Sequence, residues 1–287
     1  MAIEQGAAAG HHLGLALGAG TDEPFGRYDR RRRRRPDWVD EFPWWIVIVG
    51  LAIGWMAYLV AFVPRYNLAY DRIIQGLGVT IRATLWSFLI ACMIGLLAAL
   101  GRMSRSVILR NVARAYIEFI RGIPILVLIF TIALVIVPEV SDSLGWSNRL
   151  STEWRGIIAL ALIYGGYIAE VFRGGIQGVP RGQIEAGRAV GLTGRQTMQS
   201  VVLPQAMRSI IPPLGNDLIA ILKDSSLLSV LGILEMTQIA RQYSSSSFQF
   251  RETYLVLTLI YLTMTIILSI LLNLLEKRMS RDRVGER

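Results

Sequence analysis

The sequence predicts an all-α integral membrane protein with six transmembrane helices, and three observations carry that prediction. First, 53% of the 287 residues are hydrophobic and only 18% are charged, and the charges are segregated so that long stretches carry none. Soluble domains carry about a quarter charged residues, spread over their surfaces. Second, the apolar stretches run for about twenty residues, the length a helix needs to cross a bilayer, without the two-residue alternation of a membrane β-strand. Third, the basic residues collect on one side once those stretches are taken as crossings.

The stretches follow in order. The first runs from Trp44 to Val63, opened by two tryptophans where an interfacial belt sits. The second, Leu77 to Leu100, carries Arg82 near one end, where a long side chain snorkels to water. The third, Ile123 to Val137, is short and has Pro124 near its start, and the fourth is Gly156 to Phe172. The fifth begins near Ile210, is interrupted by Asp217, Lys223 and Asp224, and is expected to bend at Pro212-Pro213. The sixth, Tyr254 to Leu275, is rich in Leu and Ile.

With the N-terminus placed in the cytoplasm, the inner segments 1–43, 101–122, 173–209 and 276–287 hold 7, 5, 5 and 5 basic residues. The outer segments 64–76, 138–155 and 236–253 hold 2 each. A split of 22 against 6 favours this orientation and the count of six, because dropping one span breaks the alternation. The domain organisation read from it is a cytoplasmic basic tail (1–43), a first crossing (44–63), a main transmembrane domain containing the long inner loop 173–209, and a cytoplasmic tail (276–287). The outer loop 138–155 is expected to be irregular or a short surface helix.

The net charge of +9 would point a soluble protein toward nucleic acid. Here the one-sided distribution accounts for it, and the run Arg30 to Arg35 reads as an anchor on anionic lipid beside the first span. The N-terminus does not read as a signal peptide: the span is too long for an h-region and no small-residue cleavage site follows. Cys92 is the single cysteine, so the chain holds no disulfide and no cysteine-based metal site. His11 and His12 stand in a Gly/Ala-rich lead with no partner in the sequence.

Segment 173–209 is unusual for a linker. Pro180 opens a short helix over Arg181 to Val190, and Gly191 ends it as a C′ glycine. Thr193 starts a second helix, and Gln196 three residues later completes a capping box. That helix carries Met198, Val201, Val202 and Leu203 before Pro204, and these apolar residues need a partner. Two readings are open at this point: packing on the underside of the chain's own membrane domain, or docking to another protein.

Glu185-Ala186-Gly187, Gly191 and Val202-Leu203-Pro204 resemble the EAA loop of bacterial ABC importer permeases: Glu-Ala-Ala, a glycine four residues on, then Ile-x-Leu-Pro. Gly187 stands where the family often has a third alanine. The likeness extends to Gly166-Tyr167-Ile168-Ala169-Glu170, Gln183, Pro204-Gln205-Ala206-Met207-Arg208, Ile211-Pro212-Pro213, Asn216 and Leu222-Lys223-Asp224-Ser225-Ser226-Leu227, and upstream to Gly78-Val79-Thr80 and Arg121-Gly122-Ile123-Pro124. Over residues 70–275 the chain resembles permeases for polar amino acids of the histidine, glutamine and arginine uptake type. It departs from them in its extra N-terminal span and in Leu126-Val127-Leu128-Ile129-Phe130, which lacks the glutamine often found after the Leu-Val pair.

The resemblance implies a type I ABC importer permease fold in a bacterial inner membrane. Glu185, Ala186, Gly187, Gly191, Leu203 and Pro204 would couple to a cytoplasmic ATPase dimer, with small residues allowing close approach and Glu185 capping or salt-bridging the joint. It implies a second permease subunit, identical or homologous, a solute-binding protein outside, and a polar amino acid or a related small polar compound as cargo. No cofactor is expected in this chain, since ATP and magnesium would sit on the partner. The residues agree: Gly191-Leu192-Thr193-Gly194-Arg195-Gln196-Thr197 lacks the Gly-Lys-[Ser/Thr] ending of a phosphate loop, and no catalytic constellation is visible.

Four polar residues at membrane depth are the candidate solute path. Glu170 lies near the inner end of the fourth span, three residues from Arg173, so local pairing competes with a gating or solute role. Asn216 and Lys223, seven apart, share a helix face, and Lys223-Asp224-Ser225-Ser226 marks a break in the span. An ammonium there would attract a carboxylate, and Asp224 would serve an amino group. The alternative is that Lys223 and Asp224 tie helices together. An ion-driven secondary carrier would instead show an internal repeat and no docking loop, and a non-transporting membrane scaffold would not need these polar residues at depth.

Overall fold

The computed structural model describes residues 44–145 and 150–281, with the backbone alone described at Trp45 and at 279–281. The arginine run, both histidines, the rest of the 1–43 tail, Trp146 to Arg149 and the last six residues lie outside the described part. The chain divides into two units, 1–46 and 47–287, and every feature discussed below belongs to the second, apart from the first three residues of the first helix. Among the described residues each regular element is a helix.

Helix α1 (Trp44–Phe62) stops at Val63, which is extended (φ −110°, ψ 112°) because the residue before a proline is pushed out of the helical region. Pro64 then opens α2 (Pro64–Ile73), so the segment expected only as a connection is itself an amphipathic helix that buries Tyr66, Ala69 and Ile73. A 3₁₀ turn, Ile74–Gly76, leads into α3 (Leu77–Arg102), and Ser106 caps α4 (Val107–Gly122). The third apolar stretch is longer than the expected Ile123 to Val137. It forms one rod made of α5 (Ile125–Phe130), a π-type stretch (Thr131–Ile136) and α6 (Val137–Ser143). The wider turn lies just ahead of Pro138, whose ring would clash with the carbonyl four residues back in a regular helix.

Helix α7 (Thr152–Gln177), capped by Ser151, is the centre of the core. Ile157, Leu160, Ile163 and Ile168 on it are fully buried. It packs parallel to α3, since Arg82 near the start of α3 pairs with Glu153 at the start of α7 and Arg102 at the end of α3 pairs with Glu170 toward the end of α7. Between those ends the helices approach closely on small residues, the usual device where lipid gives no hydrophobic drive for helix association. A Cβ on Gly95 would lie 2.7 Å from Ile168, one on Gly165 2.7 Å from Ile94, and one on Gly166 2.8 Å from Ile120 of α4.

The remaining elements are α8 (Arg181–Ala189), α9 (Gly194–Thr197), α10 (Leu203–Asp224), a 3₁₀ segment (Ser225–Leu231), α11 (Met236–Ser247) and α12 (Phe250–Arg281). A second apolar cluster joins α2, α11 and α12 through Ile73, Met236, Val256 and Ile260, with Met56, Leu59 and Val60 of α1 against it. The opposite side of α1 is an exposed aromatic ladder, Trp55, Tyr58 and Phe62, with successive ring centroids 6.0 and 4.8 Å apart.

Among the described residues four helices are long and apolar enough to cross a membrane: Pro64–Arg102, Ile125–Ser143, Thr152–Gln177 and Phe250–Arg278. A shorter apolar helix, Ile46–Phe62, joins them. The fifth expected crossing, α10, falls outside that set because Asp217, Lys223 and Asp224 break its apolar run. It also begins at Leu203 rather than near Ile210, and Pro212 and Pro213 lie inside it instead of bending its start.

Candidate functional site

The loop after α7 is built by local sequence chemistry. Pro180 sets the entry to α8 with its fixed φ, and the helix ends on Gly191 at φ +85°, a left-handed position that costs glycine nothing. The Gly191 amide donates to Arg188 O at 3.0 Å and the Leu192 amide donates to Gly187 O at 3.1 Å, which together form a Schellman stop. The capping box is present: the Thr193 amide donates to Gln196 Oε1 at 2.9 Å and the Gln196 amide donates to Thr193 Oγ1 at 3.4 Å.

The second helix does not end at Pro204. Pro204 falls in the first turn of α10, and the π-type stretch Met198–Val202 just before it relieves the clash a proline makes with the preceding turn. The loop therefore continues as one rod into α10. Where α7 leaves and α10 returns, the two legs are pressed together: a Cβ on Gly175 would lie 2.2 Å from Ile210 Cγ1 and 3.4 Å from Ala206 O.

Glu185 and Ala186 are exposed, while Gly187 is buried. Gly187 faces inward onto Thr197, Val201 and Leu192, so its small size serves the fit between the two loop helices rather than an outward approach. Four large apolar side chains on the same loop lie open: Val190 (79% exposed), Met198, Leu203 and Met207. Val202 and Ala206 are buried beneath them. A packed pair of helices that still leaves these side chains uncovered has a face that the described residues do not fill. Between the two legs lies a polar cavity lined by Gln183, Gln205, Arg208 and Ser209.

The intramembrane polar residues fall into separate groups. Asn216 and Lys223 lie on one exposed face of α10, as their spacing requires. Asp224 turns inward and its Oδ2 accepts a 2.7 Å hydrogen bond from Tyr164 Oη, and the Tyr164 ring meets that of Tyr167 at 5.9 Å. Glu170 is not with them. It sits six residues beyond Tyr164, toward the C-terminal end of α7, where Oε2 accepts from Arg173 Nη2 (2.6 Å) and Nε (3.0 Å) and Oε1 accepts from Arg102.

One residue absent from the sequence-derived set belongs beside them. Asp217, seven positions before Asp224 and so on the same helix face, keeps Oδ2 out of solvent and unpaired among the described residues. The spacing was visible in the sequence. Asp217 was read there as an interruption of an apolar run, because nothing distinguished an inward carboxylate from an outward one.

Comparison with known proteins agrees with this geometry. The family described as "Binding-protein-dependent transport system inner membrane component" matches residues 91–281. The chain is similar to the probable amino-acid permease protein YxeN of Bacillus subtilis, 36% identical over 213 residues, covering 74% of this chain and 93% of that protein. It is 37% identical over 215 residues to the histidine/lysine/arginine/ornithine transport system permease protein HisQ of Salmonella typhimurium, covering 72% and 93%. A crystal structure of an amino acid ABC transporter with histidines superposes with a TM-score of 0.65 at 35% identity, covering 78% of this chain and 98% of that one. An inward-facing MetNI methionine ABC transporter shares the fold at a TM-score of 0.56 and 20% identity, over 73% of this chain and 94% of that one. An all-helical membrane core, a loop with an uncovered apolar face and this set of relatives lead to one assignment: the chain belongs to the family of inner membrane permease components of binding-protein-dependent ABC transport systems.

Proposed function

We propose that this chain forms the translocation path of an ATP-driven importer for a polar amino acid or a closely related small polar solute. The observation that carries the reading is the loop from Glu185 to Pro204, whose first helix is stopped at Gly191 and whose second is capped by Thr193, yet which leaves Val190, Met198 and Leu203 uncovered. Val190 is 79% exposed and Met198 and Leu203 are each 46% exposed, so completing their burial against a partner is worth up to about 1–2 kcal/mol each. The partner is a cytoplasmic ATPase dimer that carries ATP and magnesium. Glu185, Ala186, Leu203 and Pro204 lie on the exposed side of the contact, and Gly187 and Gly191 shape it from within.

In this reading the chain crosses the inner membrane six times with both ends in the cytoplasm, as the basic-residue split favours. α1 is an additional crossing ahead of the 70–275 permease domain, the basic tail 1–43 lies on anionic lipid, and 276–287 is a second cytoplasmic tail. A second permease subunit completes the pathway and an external solute-binding protein delivers the solute. Closure of the ATPase pair moves the docked loops, and the helices above them alternate access.

The amino acid cargo is supported by the names of the relatives and by the charges available along α10. Lys223 and Asn216 on its exposed face fit a carboxylate. Asp224, held by Tyr164, and the unpaired oxygen of Asp217 fit an ammonium group. The test is reconstitution of the permease with its ATPase and binding protein, followed by solute-stimulated ATP hydrolysis across a panel of amino acids. Stimulation by one or a few polar amino acids is expected. Stimulation by none of them, with the complex intact, refutes the cargo.

A further inference from the structure

The Glu170 carboxylate is shared between two helices. Its Oε2 takes both Arg173 hydrogen bonds on α7, and its Oε1 takes Arg102, the last residue of α3. Arg173 continues the chain of contacts downward by donating to Gln177 Oε1 at 2.7 Å. Gln177 is the last residue of α7, and Pro180, which opens the loop, follows three positions later. A polar line therefore runs from the foot of α7, beside the loop, to the end of α3.

Two further facts make that line mechanically significant. The foot of α7 is locked to the returning leg of the loop by the contact of Gly175 with Ile210 and Ala206 O, so loop and both legs move together. The rest of the α3–α7 interface is apolar side chains on small residues, with Ser87 donating to Ile157 O at 3.2 Å and the more exposed Arg82–Glu153 pair at the far end. Packing of that kind slides by small steps, whereas a carboxylate held by two guanidinium groups resists displacement in a fixed direction. Glu170 and Arg102 are each about four-fifths buried in the side chain, at 19% and 23% exposed, so solvent screens the pair only partly. Arg121, at the end of α4, is close enough for its charge to act on the same carboxylate.

We propose that Glu170 is a positioning residue for coupling: through Arg102 it transmits displacement of the loop and the foot of α7 to α3, and so links ATPase closure to movement of the pathway. This rests on the coupling reading above. It assigns Glu170 to transmission and removes it from the candidate solute contacts.

The test uses the complete complex, with ATPase and binding protein, in proteoliposomes, and compares wild type with Glu170→Gln and Arg102→Ala. The readout is solute moved per ATP hydrolysed. Both variants are expected to lower that ratio roughly ten-fold while ATP hydrolysis itself continues. Arg173→Ala, which removes only the bonds within α7, is expected to lower it less. A purely structural tie would reduce transport and hydrolysis in proportion, leaving the ratio unchanged, and that result overturns the proposal. If Arg102→Ala does not assemble, the near-isosteric Glu170→Gln decides the matter alone. A wild-type complex that hydrolyses ATP without moving any solute overturns both readings, since the tie then has no movement to transmit. A wild type that transports, with variants still fully coupled, overturns this one only.

Discussion

The two ends of the α3–α7 pair are built on opposite plans. At the end where α3 begins, backbone meets backbone: a Cβ on Gly76 would lie 2.6 Å from Met236 N and 2.7 Å from Glu235 C. The Thr80 hydroxyl donates to Gly76 O at 3.2 Å and accepts from the Met236 amide at 3.3 Å. Glu235, with no exposed surface, caps α11 by accepting from the Thr237 and Gln238 amides at 2.8 Å each and also accepts from Tyr261 Oη at 3.1 Å. The Thr80 hydroxyl and the Glu235 carboxylate thus find their partners within the chain, while Gln238 Oε1 is buried without a hydrogen-bond partner among the described residues. At the other end the loop closes its Schellman stop and its capping box but leaves apolar side chains open. The first end is closed largely by the chain's own groups, whereas the second leaves apolar side chains that the described residues do not cover. Under the proposed function, internal closure marks a fixed point of the fold and the uncovered face is the end on which the ATPase is proposed to act.

The hardest test of that contrast is Gly76→Ala. The obstacle is backbone of α11 and not the tip of a flexible side chain, so no rotamer change makes room. Destabilisation of about 3 kcal/mol or more is expected, read as a large fall in melting temperature and in monodisperse protein after detergent extraction. An unchanged melting temperature would show that the joint opens easily, and the contrast between the two ends would collapse.

The second test acts on the open end. Met198→Asp places a charge on an apolar position that is 46% exposed. Folding should be unaffected, since surface changes of this kind stay within about 0.5 kcal/mol. Association with the ATPase should weaken by about ten-fold or more, as when a central apolar contact of an interface is lost, measured by pull-down or by titration of the purified partners. Equal association with wild type would place the docking surface elsewhere.

Much of this was legible in the sequence, and the reasons differ by element. The long apolar runs of α3, α7 and α12 and the caps at Gly191 and Thr193 were readable because each depends on local rules of length, charge and backbone freedom. Pro204, Pro138 and the Pro212-Pro213 pair were harder. A proline ends a helix by local rules, yet the helix runs on past each of them, following a π-type stretch at the first two. The Glu170–Arg102 bond, spanning 68 positions, and the inward turn of Asp217 depend on how helices pack, which no single periodic pattern encodes. For the same reason Arg102 and Tyr164 drew no attention as residues.

The smallest effect, and the one that refines the contrast most, belongs to Gly187. It occupies the place of the third alanine in the motif the loop resembles, so its missing methyl group reads as an adaptation for close approach. The structure turns that position inward, and a Cβ there would meet Thr197 Cγ2 and Val201 Cγ2 at 3.4 Å and Leu192 Cδ1 at 3.6 Å. Those are ordinary van der Waals distances, and φ at this residue is not in the left-handed region. Gly187→Ala should therefore fill the space between the loop helices without strain and remove the helix penalty of glycine, stabilising the loop by about 0.5–1 kcal/mol. Hydrogen exchange of the α8 amides should slow correspondingly, with ATPase association unchanged. Loss of association in a variant whose α8 exchanges no faster than wild type would mean that the partner reads the bare backbone at 187, and that the open face of the loop extends further than its exposed side chains indicate.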